Sequence, residues 1–192
     1  MIKKIKIFLL TSLAHVVSAL DKNYLAAHLW LKASKLEPQN TIFLTTAGEH
    51  LWKINKKNYS INLFRKAIIL DKCYTPALFN LGYALQKKGH YVESIVLFTK
   101  IVKIDSNHDL AFYGRGISFF KTKKYENAID DFKKTIALQP MSPYAYYQIS
   151  HVYSRLGKID ELKKIIIKVK AFEPQVADQL KRITNWIVIS DF

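Results

Sequence analysis

Six histidines, one cysteine and fifteen acidic residues are the side chains of this 192-residue chain best suited to proton, metal or covalent chemistry. His15, His28, His50, His90, His108 and His151 form no H-E-x-x-H pair, and none has a cysteine at metal-ligand spacing. A single cysteine, Cys73, can make neither an internal disulfide nor a thiolate cluster. Gly114-Arg115-Gly116 looks like the start of a phosphate loop, but it lies within a helical pattern with no strand before it. Asp130-Asp131 and Asp160-Glu161 are acidic pairs expected at the exposed starts of helices, where negative charge suits the helix dipole. Acid–base catalysis needs carboxylates in a shared cleft, which nothing in the sequence specifies. The expectation is a protein that is not an enzyme and has no cofactor and no metal. What does recur is cationic: Lys53, Lys87, Lys121 and Arg155 stand at one constant interval.

That interval belongs to the elements beneath it. From Thr75 to His108 the chain reads as two short helices with a turn at Lys88-Gly89-His90. Leu78, Leu81, Gly82 and Leu85 mark one apolar stripe, and Ile95, Phe98, Ile101 and Ile104 mark the next, both near a period of 3.6. Small residues at Gly82 and Ser94 would let the two helices approach closely. Neither helix can bury its stripe alone, so the unit needs neighbours.

Stepping along the chain by the same interval finds them. Phe112, Gly116, Phe119, Tyr125, Ala128, Phe132 and Pro140 follow downstream, then Tyr146, Ile149, Ser150, Tyr153, Gly157 and Pro174, with Leu162 where a small residue is expected. Upstream lie Leu44, Gly48, Leu51, Ser60, Phe64, Ala67 and Leu70, preceded by Leu10, Leu13, Ala14, Val17, Ala26, Trp30, Ala33, Leu36 and Pro38. In length and signature this resembles the tetratricopeptide repeat (TPR) family, whose 34-residue unit is a pair of antiparallel helices. The resemblance runs without insertion from Ile7 to Val176. It implies an all-α, TPR-type α-solenoid: a right-handed superhelix of about five helix-turn-helix repeats (7–40, 41–74, 75–108, 109–142 and 143–176) with a C-terminal capping helix over 177–192. Such a stack is one quasi-linear body with nearest-neighbour contacts.

Local signals mark the joints. Asn40 and the Asp105-Ser106-Asn107 run are candidate caps or turn residues. Pro140 and Pro174 are expected to end second helices, and Pro76 and Pro143 to lie in the first turns of helices they open.

In TPR proteins the first helices of successive repeats line a concave groove. The resemblance therefore implies a partner-binding surface at Phe79, Tyr83, Tyr113, Phe120, Tyr144 and Tyr147, with Trp52 and Ile117 nearby. Packing between repeats is the competing role for these rings. Lys53, Lys87, Lys121 and Arg155 fall at the ends of the first helices and would rim that groove with positive charge, although a cation there also simply suits the helix dipole. A further series, Lys32, Lys66, Lys100, Lys134 and Lys168, runs along the second helices and is read as a solvated face. Some TPR proteins clamp the C-terminal carboxylate of a chaperone tail with lysines and asparagines. Here Asn80 matches one clamp position, but Thr45 and Glu49 stand where lysine and asparagine would be wanted, and a glutamate repels a carboxylate. That clamp is rejected in this register.

The formal charge of +15 admits two readings. One is an anionic partner: nucleic acid, a membrane surface or an acidic protein. The other is compositional drift with solubility, since Arg65, Arg115, Arg155 and Arg182 are the only arginines and arginine is preferred where phosphate is read bidentately. The first twenty residues are also read two ways. Lys3, Lys4 and Lys6, the apolar run from Ile7 to Val17, and Ser18-Ala19 have the form of a secretory signal. Leu10, Leu13, Ala14 and Val17 equally form the first helix of the first repeat, in register with the rest, and the register favours retention. At the other end, Trp186, Ile187, Val188 and Ile189 are expected to cover the last repeat or to serve self-association.

The function expected is a scaffold or adaptor that binds a peptide or helix of another protein in an aromatic, basic-rimmed groove. The alternatives are a basic solenoid that binds RNA or an anionic membrane surface by charge, and an exported envelope or assembly factor. The expected location is cytoplasmic, or exported or periplasmic if 1–19 acts as a signal.

Overall fold

The computed structural model describes the backbone of residues 1–190 and the side-chain surroundings of residues 1–182. Its described residues form eleven α-helices and no strand. The chain divides into two compact units, Met1–Ile104 and Asp105–Phe192. The sequence suggested one continuous body. A stack held by nearest-neighbour contacts has no central core, so its contacts partition readily at a joint between pairs.

The first unit holds α1 (Ile2–Ala19), α2 (Asn23–Leu36), α3 (Thr41–Lys53), α4 (Lys57–Leu70), α5 (Thr75–Lys87) and α6 (Tyr91–Ile104). The second holds α7 (Asp109–Lys121), α8 (Tyr125–Leu138), α9 (Pro143–Arg155), α10 (Ile159–Lys170) and α11 (Pro174–Ser190). Within each unit, helices pack pairwise as α1/α2, α3/α4, α5/α6, α7/α8 and α9/α10, and each pair leans on the next through α2/α3, α4/α5 and α8/α9. The starts of α3, α5, α7 and α9 fall at one constant interval, and those of α2, α4, α6, α8 and α10 keep the same spacing.

Two devices repeat at that interval. The first is a close approach between the helices of a pair. A Cβ on Gly48 would lie 2.5 Å from Phe64 Cε1, one on Gly82 3.2 Å from Phe98, and one on Gly116 2.8 Å from Phe132. Phe64, Phe98 and Phe132 are almost fully buried, so each ring fills the space a side chain would take. In the second pair the Ser60 hydroxyl also donates to the Gly48 carbonyl at 2.7 Å. The fifth pair lacks this arrangement: Ser150 and Leu162 are both fully buried where the second, third and fourth pairs have glycine and a serine or alanine.

The second device is the turn. Backbone N–H groups of Lys22, Lys56, His90, Lys124 and Lys158 donate to the carbonyls of Val17, Leu51, Leu85, Phe119 and Tyr153 at 2.8–2.9 Å. The residue just before each donor is left-handed: Asp21 (φ 55°), Asn55 (63°), Gly89 (84°), Lys123 (59°) and Gly157 (64°). This six-to-one bond with a left-handed residue is a Schellman closure, which satisfies carbonyls at the helix end and reverses the chain. Only two of the five positions hold glycine, the residue that adopts this conformation without steric cost.

The termini and caps depart from the sequence reading in three places. α1 begins at Ile2, ahead of Ile7, because Lys3, Lys4 and Lys6 extend the helix at little cost in propensity. Pro174 opens α11 instead of ending α10, which stops at Lys170. Proline suits a first helical position because the missing N–H would have no partner there. The cap of α7 is His108, whose Nδ1 accepts from the Ala111 N–H at 3.2 Å, while Asp105 turns back to accept from the Asn107 N–H. Asn40 does cap α3, accepting from the Ile42 N–H at 3.1 Å. Ala177 and Leu180 of α11 are fully buried in the core of the second unit. The side chains of Trp186, Ile187, Val188 and Ile189, expected to cover that end or self-associate, lie outside the described residues.

Candidate functional site

Each unit presents its own cluster of the residues singled out above. In the first, Trp52 near the end of α3 and Tyr83 of α5 meet edge to face with centroids 6.2 Å apart. Lysines flank both rings. Lys87 Nζ lies 5.3 Å from the Tyr83 centroid and Lys57 Nζ 5.6 Å from that of Trp52. An ammonium over an aromatic face is attracted by the ring quadrupole. Tyr83 is 39% exposed and Trp52 half-buried, with Lys53 and Lys87 exposed at the last positions of their helices. Phe79 is different. Its ring packs at 5.7 Å on Phe98, inside its own helix pair. Beside this cluster Asn80 donates to Glu49 at 2.7 Å, so the asparagine at the clamp-like position is engaged by the glutamate opposite it.

In the second unit Tyr113, Pro143, Tyr144, Tyr147, Gln148, Val176 and Gln179 line a cavity of about 360 Å³. Tyr144 is 69% exposed at its mouth, whereas Tyr113 and Tyr147 are half-buried. Burial raises the Tyr113 phenol above its ordinary value, and a hydrogen bond with Gln148 draws it partly back. Tyr113 also packs at 6.0 Å on Phe132, and Tyr147 meets His151 edge to face at 4.6 Å. Burial, then the charge of Arg155, lowers the affinity of the His151 imidazole for a proton. Ile117 is half-buried against the core, and Phe120 packs at 5.9 Å on Tyr125 of the following helix. Lys121 and Arg155 are exposed and again end their helices.

The twelve residues thus separate by role. Tyr83 and Tyr144 offer exposed rings, and Lys53, Lys87, Lys121 and Arg155 offer exposed charge. Trp52, Tyr113 and Tyr147 are half-buried at the edges of the clusters. Phe79, Ile117 and Phe120 pack chiefly within or between helix pairs.

Two sequence expectations about charge change in the structure. Asp131 is not on an exposed helix start. It is 4% exposed and takes a bidentate pair from Arg115, with Nη2 at 2.7 Å and Nε at 2.8 Å. Burial pushes its carboxyl above the ordinary value, with the Arg115 guanidinium pulling the other way. Arg115 also lies 5.4 Å and 5.7 Å from the rings of Phe112 and Phe119, so it is an internal strut and no part of a phosphate loop. The second-helix lysines are not all merely solvated. Lys134 sits 5.9 Å from the Phe112 ring, and in the next repeat Lys168 sits 5.5 Å from the Tyr146 ring.

Sequence reasoning also missed a cleft of about 510 Å³ where Glu126, Asp160 and Glu161 come together with Lys133, Tyr153 and Lys158. Glu126 pairs with Lys158 and Glu161 with Lys164, each at 3.0 Å. Among the described residues, no group of three or more His, Cys, Asp or Glu side chains could hold a metal ion.

Comparison with known proteins follows the same periodicity. Two family models, each described as tetratricopeptide repeat, match residues 75–108 and 143–176 and residues 110–142. No curated protein matches the chain. Among solved structures, MamA 41-end from Desulfovibrio magneticus RS-1 is similar with a TM-score of 0.83 and 16% identity, covering 88% of this chain and 96% of that one. A tetratricopeptide repeat protein from Parabacteroides merdae ATCC 43184 is similar with a TM-score of 0.85 and 16% identity, over 95% of this chain and 73% of that one. YrrB, described as a TPR protein with an unusual peptide-binding site, is similar with a TM-score of 0.77 and 16% identity, over 90% of each chain. At these identities the likeness speaks to the fold.

Proposed function

This chain belongs to the tetratricopeptide repeat family, and from that premise we propose that it is a non-enzymatic scaffold holding a segment of a partner protein on the open faces of its first helices. The observation that carries the proposal is the recurrence, in both units, of an exposed tyrosine on a first helix whose last residue is a cation. Tyr83 lies with Trp52 and Lys87, and Tyr144 lies at the mouth of a tyrosine-lined cavity on the helix that ends in Arg155. Tyrosine and tryptophan supply much of the binding energy at protein interfaces because they bury a large rigid surface and keep a polar edge. The cations favour a partner with acidic residues flanking its apolar anchors.

The test is affinity capture from native lysate at low and moderate salt, with wild type beside a Tyr83→Ala/Tyr144→Ala variant. Both rings are exposed, so the variant keeps its fold, which thermal unfolding checks. A protein retained by wild type at moderate salt and lost by the variant is the expected result. A variant that retains every partner of the wild type would overturn the proposal. Capture of nucleic acid that ignores the tyrosines and disappears as salt rises would replace it with binding by charge.

A further inference from the structure

Helix α1 carries two apolar stripes. Ile7, Leu10, Ala14 and Val17 belong to the core it shares with α2 and α3. About a third of a turn away, Ile2, Ile5, Leu9, Leu13, Val16 and Leu20 recur at intervals of three and four. All six are exposed, from 48% at Leu13 to 82% at Ile2. Phe8, three residues after Ile5 on the same helix, is exposed as well. A continuous apolar face of this length marks a surface that meets something else.

The charges around it indicate what. Residues 1–20 contain no aspartate or glutamate, Lys3, Lys4 and Lys6 are exposed in the first turns of α1, and Asp21 and Lys22, of opposite sign, follow its end. The first unit contains sixteen lysines and arginines against five acidic residues, the second fourteen against ten. A second copy of this chain would bring the same excess of positive charge to the stripe. An anionic lipid surface brings the opposite charge together with an apolar layer. A helix with an apolar face and flanking lysines lies in the plane of such an interface, its apolar side among the acyl chains and its ammonium groups among the headgroups. No helix among the described residues is long and apolar enough to cross a membrane.

We propose that α1 docks by its outer stripe on an anionic lipid surface, with Lys3, Lys4 and Lys6 at the headgroups and the inner stripe still holding α2. Because the two stripes are separate, docking needs no unfolding of the first helix pair. The stripe shares no residue with the Trp52–Tyr83 cluster of α3 and α5, so occupying one leaves the side chains of the other free.

The experiment is co-sedimentation of the full chain with vesicles of phosphatidylcholine alone and of phosphatidylcholine with phosphatidylglycerol. Wild type is compared with Ile5→Gln/Leu9→Gln/Val16→Gln and with Lys3→Gln/Lys4→Gln/Lys6→Gln. Thermal unfolding checks the fold of each variant, and sedimentation velocity without lipid reads its association state. The expected result is wild-type binding to the anionic vesicles only, with at least a tenfold weaker partition for both variants at an unchanged melting temperature. Absence of wild-type binding, equal binding to neutral vesicles, or undiminished binding of the stripe variant would each overturn the proposal. A wild-type dimer that becomes a monomer in the stripe variant, with no lipid binding, would assign the stripe to a second copy instead.

Discussion

The Asp131 carboxylate, in the middle of α8, receives two hydrogen bonds from the Arg115 guanidinium of α7, at 2.7 and 2.8 Å, in a setting closed to solvent on the aspartate's side. The pair crosses the fourth helix pair and fixes the rotation of one helix against the other. Removing one partner leaves the other charge buried and uncompensated. Asp131→Ala is therefore expected to cost about 3 kcal/mol of stability, read from urea unfolding, and Arg115→Met a similar amount. The double variant should lose less than the sum of the two, since neither charge is then stranded.

Gly116 offers a steric test of the same pair. A methyl group there would lie 2.8 Å from Phe132 Cε1, and the ring is fully buried. Gly116→Ala should destabilise by about 1–3 kcal/mol despite alanine's better helix propensity. Gly82→Ala, where the corresponding distance is 3.2 Å, should cost less. Chemical denaturation of the two variants side by side checks the order.

Lys123 gives a prediction of opposite sign. It is exposed and left-handed at φ 59°, where its Cβ crowds the backbone and glycine would not. Lys123→Gly should stabilise the fold by about 0.5–1 kcal/mol, whereas Gly157→Ala, at φ 64°, should destabilise it by about 1 kcal/mol. Denaturation midpoints decide both.

Stability should also depend on pH through His50. Its Nδ1 lies 2.8 Å from Asn23 Oδ1 in a buried setting, and burial, then the charge of Lys53, lowers its affinity for a proton. The unfolded chain takes up that proton near pH 6.5 and the folded chain only at lower pH. The contribution to stability is thus complete above pH 6.5 and falls as pH drops through the lowered folded value, by up to about 1.4 kcal/mol per pH unit for one site. His151, lowered for the same reason, adds to the slope. His50→Gln should flatten the pH dependence of the unfolding free energy between pH 7 and 5, and an unchanged slope would exclude His50 as its source.

The helix-pair architecture was legible because its determinants are local and periodic. Gly48, Gly82 and Gly116 stand one repeat apart, and each faces an aromatic ring at the matching position of the second helix of its pair. The left-handed turns were only partly legible. Gly89 and Gly157 announce themselves, but Asp21, Asn55 and Lys123 hold the same conformation because the backbone bond closing each turn outweighs a modest steric cost. Asp131 was misplaced for a different reason: its partner lies on the preceding helix, and nothing in an Asp-Asp pair says which member turns inward. The aromatic residues of the candidate site were legible as a set of helix positions. Their individual exposure was not, since Phe79 turns onto Phe98 while Tyr83, four residues later, remains open beside Lys87. Four residues exceed one helical turn by about 40°, enough to carry a ring from the interior of a pair to its rim.

The five turns share one backbone closure while tolerating aspartate, asparagine, lysine or glycine at its left-handed position. Such a hinge-piece is indifferent to its neighbours' side chains, so it joins any first helix to any second helix of the right length. The joints between pairs repeat as well, with the N–H groups of Asn40, Tyr74, His108 and Ser142 donating to the carbonyls of Glu37, Asp71, Asp105 and Gln139 at 3.1–3.3 Å, so each unit carries both of its joints in its own backbone bonds. The breadth of surface such an array offers therefore scales with the number of units stacked, each added without disturbing the joints of the rest.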